Sequence, residues 1–327
     1  MCDLYFVFFI VFIAFVFEFI NGFHDAANSI ATIVATGVLR PFAAVLWAAF
    51  FNFIAFMVFH LSVANTFGVG LVNPSEITPY VIFSALSGAI IFNLITWYFG
   101  IPASSSHALI GGLMGAVLAQ SGWHNLEWLG LGKTFVAILI SPILGMLLSI
   151  TLIKLLRRVL KEKRKHFDSH FQLLSSALLS LGHGGNDAQK TMGIIALLLL
   201  SSGLISDFHV PFWVMMSCSI VMGVGTLAGG WRIVKTVGER ITKLTPETGA
   251  AAETGSALVL FIATYLGIPV STTHIVIGSV AGVGIQRGWK GINWQVLKRI
   301  TISWLLTIPC AGLFAACFIW VHSAFFV

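Results

Sequence analysis

The sequence predicts an all-α polytopic membrane protein built from two inverted-topology repeats, each with three crossings plus a re-entrant helical hairpin. Three observations predict it. The chain of 327 residues is 57% hydrophobic and 9% charged, with a mean hydropathy of +0.95. Apolar runs long enough to span a bilayer recur from end to end. Two motifs each occur twice, in the same order. A soluble chain carries about a quarter charged residues, and a β-barrel would show segments of about ten residues alternating in polarity; neither pattern is present.

Taken in order, the expected membrane segments lie near 4–37, 41–63, 79–99, 103–119, 132–156, 171–201, 211–229, 249–266, 270–285 and 299–325. Runs of roughly 18 or more apolar residues cross ~30 Å of hydrocarbon. The first, LYFVFFIVFIAFVFEFI (4–20), has no basic stretch before it and no small-residue cleavage site after it, so it reads as a retained helix, not a signal peptide. The basic run KLLRRVLKEKRK (154–165) marks the midpoint. It divides the chain into a first repeat (1–156), a basic cytoplasmic linker (157–170) and a second repeat (171–327).

Positive charge sets the orientation. With that run in the cytoplasm, the loops at 230–248 and 286–299 and Arg40 also fall inside, whereas the loops at 64–78 and 202–210 hold no Lys or Arg. Sixteen of the 18 basic residues are then cytoplasmic, Lys133 is external and Lys190 lies in the membrane. This works only if 79–119 and 249–285 are hairpins that enter and leave on one side. Both termini are then external, and the location is the cell (inner) membrane. The formal charge of +6 lies mostly in short loops, which fits a membrane surface and lipids, not nucleic acid.

The hairpin midpoints are GIPASSSH (100–107) and GIPVSTTH (267–274), and a proline there removes a helical hydrogen bond and bars its predecessor from helical geometry. A second pair, GFHDAANSIAT (22–32) and GGNDAQKTMGI (184–194), aligns on Asp25 and Asp187. Inverted repeats with broken helices are the architecture of secondary transporters, with substrate at the midplane where the breaks meet.

Each break opens into a helix N-terminus, which exposes unpaired N–H groups and about half a positive charge and so suits an oxyanion. Ser104, Ser105, Ser106, Ser271, Thr272 and Thr273 add six hydroxyls, and Asn28 and Lys190 complete the candidate substrate contacts. The plainer alternative is that these hydroxyls only cap the breaks. The duplication favours a tetrahedral anion gripped from two sides. Asp25, Asn28, Asn186, Asp187 and Gln189 offer oxygens for a coupling cation, because a charge at the bilayer centre costs about 2.5–3.5 kcal/mol and calls for a partner. The plainer alternative for Asp187 and Lys190 is a structural ion pair.

Two aspartates and one lysine leave a net negative site, so a phosphate dianion cannot enter dry without cations or protons. With an inward-negative potential, each net positive charge carried in gains about 2.3 kcal/mol per 100 mV. His24, Glu253, His107 and His274 are candidate proton-linked groups, since histidine titrates near neutral pH. His183 flanks the second acidic motif in the same sense. Glu18 and Glu253 also read as interfacial. The four cysteines (Cys2, Cys218, Cys310, Cys317) lack metal-ligand spacing and read as small buried hydrophobes.

These motifs, together with GGWRIVKTVGERI (229–241), resemble the PiT inorganic phosphate transporters, in both halves and in order. The resemblance implies phosphate uptake with Na⁺ or H⁺, no catalysis, no resident cofactor and no structural metal. By family analogy it also implies a homodimer. It places the hairpin hydroxyls at phosphate and the acidic motifs at the cation. Two departures matter: His24 precedes Asp25 where the family usually has Asn, and Lys190 stands where Na⁺-coupled members tend to have Asn. The NDAQK motif resembles the bacterial proton-coupled branch, some of whose members carry a divalent metal with phosphate, and this favours H⁺ over Na⁺.

Two other readings fit parts of the pattern: a sulfate or other oxyanion permease of the same architecture, and an intramembrane serine hydrolase with Ser104 or Ser271 as nucleophile. An enzyme needs one such constellation, whereas duplicated inverted sets suit one substrate held from two sides.

Overall fold

The computed structural model describes residues 4–74, 77–160 and 169–326. Among these the chain is helical, its one extended pairing being an isolated bridge between Val72 and Leu126. The first six helices are α1 (Leu4–Ala35), α2 (Pro41–Ile54), α3 (Ser62–Val69), α4 (Pro79–Phe99), α5 (Ser105–Ser121) and α6 (Trp128–Leu160). The next six are α7 (Ser169–Ser201), α8 (Phe212–Ala228), α9 (Trp231–Lys235), α10 (Pro246–Tyr265), α11 (Thr272–Ile285) and α12 (Trp294–Phe326). Each set runs in the same order: a long helix, a bent pair, a hairpin and a second long helix.

Local chemistry explains the starts. Pro41, Pro79 and Pro246 each open a helix, where the missing N–H and fixed φ cost nothing. Thr78 and Thr245 cap α4 and α10 by accepting from the backbone N–H of Val81 and Thr248.

Two apolar clusters fill most of the interior, yet charged groups are buried among them while large apolar side chains face outward. Phe12 and Leu139 are 60% and 68% exposed while Asp25 and Lys190 are each 2% exposed. Apolar side chains on the outside suit hydrocarbon as solvent. Four described helices, α1, α4, α6 and α12, are long and apolar enough to cross a bilayer, or six spans if the bent pairs α2–α3 and α8–α9 each count as one. The long helix α7 is not among them, because GHGGNDAQK interrupts its apolar run.

Packing follows a crossed scheme. Helix α5 lies against α12, and α11 against α6; α1 packs on α8, and α7 on α2; α4 and α10 pack on α12 and α6. Close approach in the first two pairs depends on glycine. A Cβ added to Gly111 would stand 2.5 Å from the Ile308 carbonyl oxygen, and one added to Gly282 would stand 2.6 Å from that of Met146. Small residues let helices meet backbone to backbone where lipid offers no hydrophobic drive.

Several expectations are corrected. The segment expected at 41–63 is broken by 78° between α2 and α3, and the loop expected at 230–248 is helical over α9 and a π-helical turn at Thr236–Arg240. Helix α6 runs on to Leu160, into the expected linker, whose residues 161–168 lie outside the described residues. Cys218 is buried, but Cys317 is exposed on α12, and Cys2 lies outside the described residues.

Candidate functional site

Both GIP elbows have the same construction. Gly100 and Gly267 adopt φ of 64° and 67°, a left-handed conformation that favours glycine. Their N–H groups bond Trp97 O and Thr264 O, and the following isoleucine N–H groups bond Thr96 O and Ala263 O, closing a Schellman motif. Pro102 and Pro269 then keep the chain extended until Ser104 and Ser271 cap the next helices, accepting from His107 N and His274 N at 3.2 Å each. The elbows are held from across the molecule: Thr236 Oγ1 donates to Gly100 O (3.0 Å), and Thr66 Oγ1 to Gly267 O (2.7 Å). A left-handed non-glycine residue costs about 1–2 kcal/mol. A Cβ would also press on Arg232 at 3.3 Å or Ser62 at 3.1 Å. Gly100→Ala and Gly267→Ala are each expected to lower the apparent Tm of the purified protein by a few degrees, read by thermal unfolding in detergent.

The N-termini of α5 and α11 meet the middles of α1 and α7, and the acids and hydroxyls join there. Ser105 Oγ donates to Asp25 Oδ2 at 3.2 Å, and Thr272 Oγ1 to Asp187 Oδ2 at 2.8 Å. These two bonds are images of one another, each within one half of the chain. The next two cross between halves: Asn28 Nδ2 donates to Thr273 Oγ1 at 3.0 Å, and Lys190 Nζ to Ser106 Oγ at 2.5 Å. Asn28 also reaches Thr272 Oγ1 at 3.3 Å. Lys190 further bonds Asp187 Oδ1 at 2.5 Å and Val270 O at 2.8 Å. Asp25, Asp187 and His183 each place one ligand atom within 4.8 Å of the others, all buried. The geometry thus gathers Asp25, Asn28, Asp187, Lys190, Ser105, Ser106, Thr272 and Thr273 into one network.

The remaining candidates are placed as follows. His24 and Asn186, which occupy equivalent motif positions, bond equivalent helices: His24 Nε2 meets Thr96 Oγ1 at 3.2 Å, and Asn186 Nδ2 donates to Thr264 Oγ1 at 3.0 Å. His24 Nδ1 also stands 2.7 Å from Asp25 Oδ1. Gln189 is a correction. Its Oε1 accepts from Val63 N and Ala64 N, and its Nε2 donates to His60 O, so the amide serves the α2–α3 break. Two residues from Asp187, it points off the other side of α7.

Glu253 and Glu18 are also corrected: both are fully buried, not interfacial. Glu253 accepts from Thr32 and Ser175 at 2.5 Å and Gln172 at 3.0 Å. His107 and His274 pack edge to face with centroids 4.4 Å apart, and His274 stacks on Trp304. These two are packing partners between α5, α11 and α12, and among the described residues neither bonds an acid.

His183 joins the site more closely than its flanking place in the motif suggests: its Nε2 is 3.1 Å from Asp187 Oδ2 and its Nδ1 meets Ser29 and Asn52. Its signal was available, since residues four apart share a helix face. Thr96, Thr264 and Asn52 carried no motif and could not be found that way.

The Phosphate transporter family model matches the chain twice, over residues 21–169 and 159–315. Two bacterial relatives, each named "Probable low-affinity inorganic phosphate transporter", are similar along most of their length. The one from Rhizobium meliloti (strain 1021) is 54% identical over 309 residues, 93% of this chain and 92% of the relative. The one from Bacillus subtilis (strain 168) is 42% identical over 315 residues, 94% of each. A solved structure named "The sodium-dependent phosphate transporter" is similar with a TM-score of 0.89 at 27% identity, covering 98% of this chain and 100% of that one.

Proposed function

The chain belongs to the phosphate transporter family, and from that premise we propose that it imports inorganic phosphate with a coupling cation, H⁺ rather than Na⁺, by alternating access between two inverted repeats. One observation carries the coupling: Ser105 and Thr272, two of the hydroxyls proposed to bind phosphate, donate hydrogen bonds to the two acids. A hydroxyl has one hydrogen to donate. Ser105 and Thr272 now give theirs to Asp25 and Asp187. When phosphate takes those hydrogens, both carboxylates lose a donor in a site with no bulk water to replace it, and a cation or proton must enter. Anion binding thereby calls for cation binding.

The other contacts fit the same reading. Ser106 and Thr273 accept from Lys190 and Asn28, which leaves each hydroxyl hydrogen to donate to phosphate. Ser104 and Ser271 accept as caps and keep theirs as well. Lys190 supplies a fixed positive charge where a Na⁺ would otherwise be needed, the feature that favours H⁺. The crossed pairs, Asn28 on Thr273 and Lys190 on Ser106, tie each half's acidic helix to the other half's hairpin. A rocking of the halves would then open one elbow and close the other.

The test is uptake of ³²P-phosphate into proteoliposomes, with Na⁺ and pH gradients imposed separately and arsenate and sulfate as competitors. Uptake driven by the pH gradient alone, inhibited by arsenate and not by sulfate, is expected. Uptake of sulfate in place of phosphate, or strict dependence on Na⁺, would overturn the respective part. In the same vesicles, Ser106→Ala and Thr273→Ala are each expected to weaken apparent phosphate affinity about tenfold or more, because a hydrogen bond to a charged group is worth about 1.5–3 kcal/mol.

A further inference from the structure

We propose that Glu18 is the site that carries the coupled proton. This rests on the symport reading above and names a residue outside its network. Glu18 lies on α1, two turns before Asp25, and is fully buried. Its Oε2 accepts from Thr191 Oγ1 and has an amide contact from Asn21 Nδ2 at the 3.5 Å limit. Among the described residues its other oxygen, Oε1, has no hydrogen-bond partner, and neither does the buried Oδ1 of Asn21 on the same turn.

A carboxylate needs donors on both oxygens when it is cut off from water. Glu253 shows what that looks like here, with two hydroxyls and an amide covering both of its oxygens. The surroundings of Glu18 do not supply this. They suit the neutral acid, whose O–H turns one oxygen into a donor and so reduces the number of acceptors lacking one. The titratable and charged groups facing it are Asp187 and Lys190 from α7 and Cys218 from α8. Cys218 is a buried thiol, so among these described groups the positive charge comes from Lys190, already held by Asp187, Ser106 and Val270 O.

The link to phosphate runs through α7. Thr191, which donates to Glu18, directly follows Lys190, which donates to Ser106. Proton loss from Glu18 adds a negative charge beside the lysine and so weakens the site's hold on an anion. Proton gain removes it. Protonation and phosphate binding therefore favour one another, and by linkage the effect is reciprocal. The proton enters with phosphate from outside, and its departure inside promotes release.

The test uses purified full-length protein in proteoliposomes and the variant Glu18→Gln, which holds the neutral state permanently. Wild type should accumulate phosphate under an inward proton gradient. E18Q should lose at least tenfold of that accumulation while still exchanging internal for external ³²P-phosphate. In infrared difference spectra, the carbonyl stretch of a buried protonated acid should be present in wild type, absent in E18Q and retained in Glu253→Gln. If E18Q keeps gradient-driven accumulation, or loses exchange together with accumulation, or if the band survives in E18Q, the assignment of Glu18 is wrong while the symport reading stands. If wild type itself shows no response to the proton gradient, both fall together.

Discussion

Asp187→Asn is expected to reduce phosphate uptake by a hundredfold or more and to lower the protein's thermal stability. Asp187 sits within 2.5 Å of Lys190 and accepts from Thr272 at 2.8 Å, fully buried. The amide leaves the lysine charge without its counterion at membrane depth. Removing one partner of a buried ion pair costs about 3–5 kcal/mol, which as a lost binding or transition-state interaction is about a hundredfold to several thousandfold in rate. Its counterpart, Asp25→Asn, distinguishes a site role from a merely structural one. Asp25 faces His24 and Ser105, not an ammonium. It is expected to lose uptake as severely as Asp187→Asn, with a clearly smaller drop in Tm. Uptake assays and thermal unfolding of the two variants side by side check this. Equal losses of Tm would mean that the lysine pair is not what separates the two halves.

Lys190→Asn is expected to change the ion that drives transport. Asn28 occupies the equivalent position in the first acidic motif, and its amide reaches Thr273 as the ammonium reaches Ser106. Asparagine at 190 would make the two halves alike, remove the fixed positive charge and offer a carbonyl oxygen suited to a hard cation. Uptake in Na⁺-free medium should fall about a hundredfold, by the same cost of breaking a buried pair, and addition of Na⁺ should restore a substantial part of it. Lys190→Ala lacks that oxygen and should lose uptake without recovery. Proteoliposome uptake with and without Na⁺ checks both. Recovery in neither variant would show that the lysine does not stand in for a metal ion.

The parts of the molecule legible in its sequence are those that chemistry forces to be local. A glycine with positive φ, a proline two residues on and a capping serine can be read from GIPASSSH and GIPVSTTH alone, and the elbows at Gly100 and Gly267 follow. Charged and amide side chains in apolar helices stand out for the same reason, so Asp25, Asn28, Asp187 and Lys190 could be named in advance. What sequence could not supply is which partners meet. The bond from Thr66 to Gly267 O spans 201 positions and that from Asn28 to Thr273 spans 245; neither has a local signal.

The misses share a physical cause. Gln189 lies within the NDAQK motif, but helical geometry turns it away from Asp187 and onto the backbone of the α2–α3 break. That break itself was hidden because AFMVFHLS (55–62) is apolar enough to continue a span. Glu18 and Glu253 were read as interfacial from their places along apolar runs. Hydropathy along one helix does not report the polar groups that other helices bring to it, here Thr191 for Glu18 and Gln172, Ser175 and Thr32 for Glu253.

In the proposed mechanism a single oxyanion is held at once by the half-helices of both repeats. The most direct measurement is an anomalous difference map from crystals of the purified protein soaked with arsenate, a tetrahedral stand-in with a strong arsenic signal. One peak is expected, within hydrogen-bonding reach of Ser105 and Ser106 on α5 and of Thr272 and Thr273 on α11, beside Lys190. A peak on one half-helix alone, or two separate peaks with one at each elbow, would contradict it.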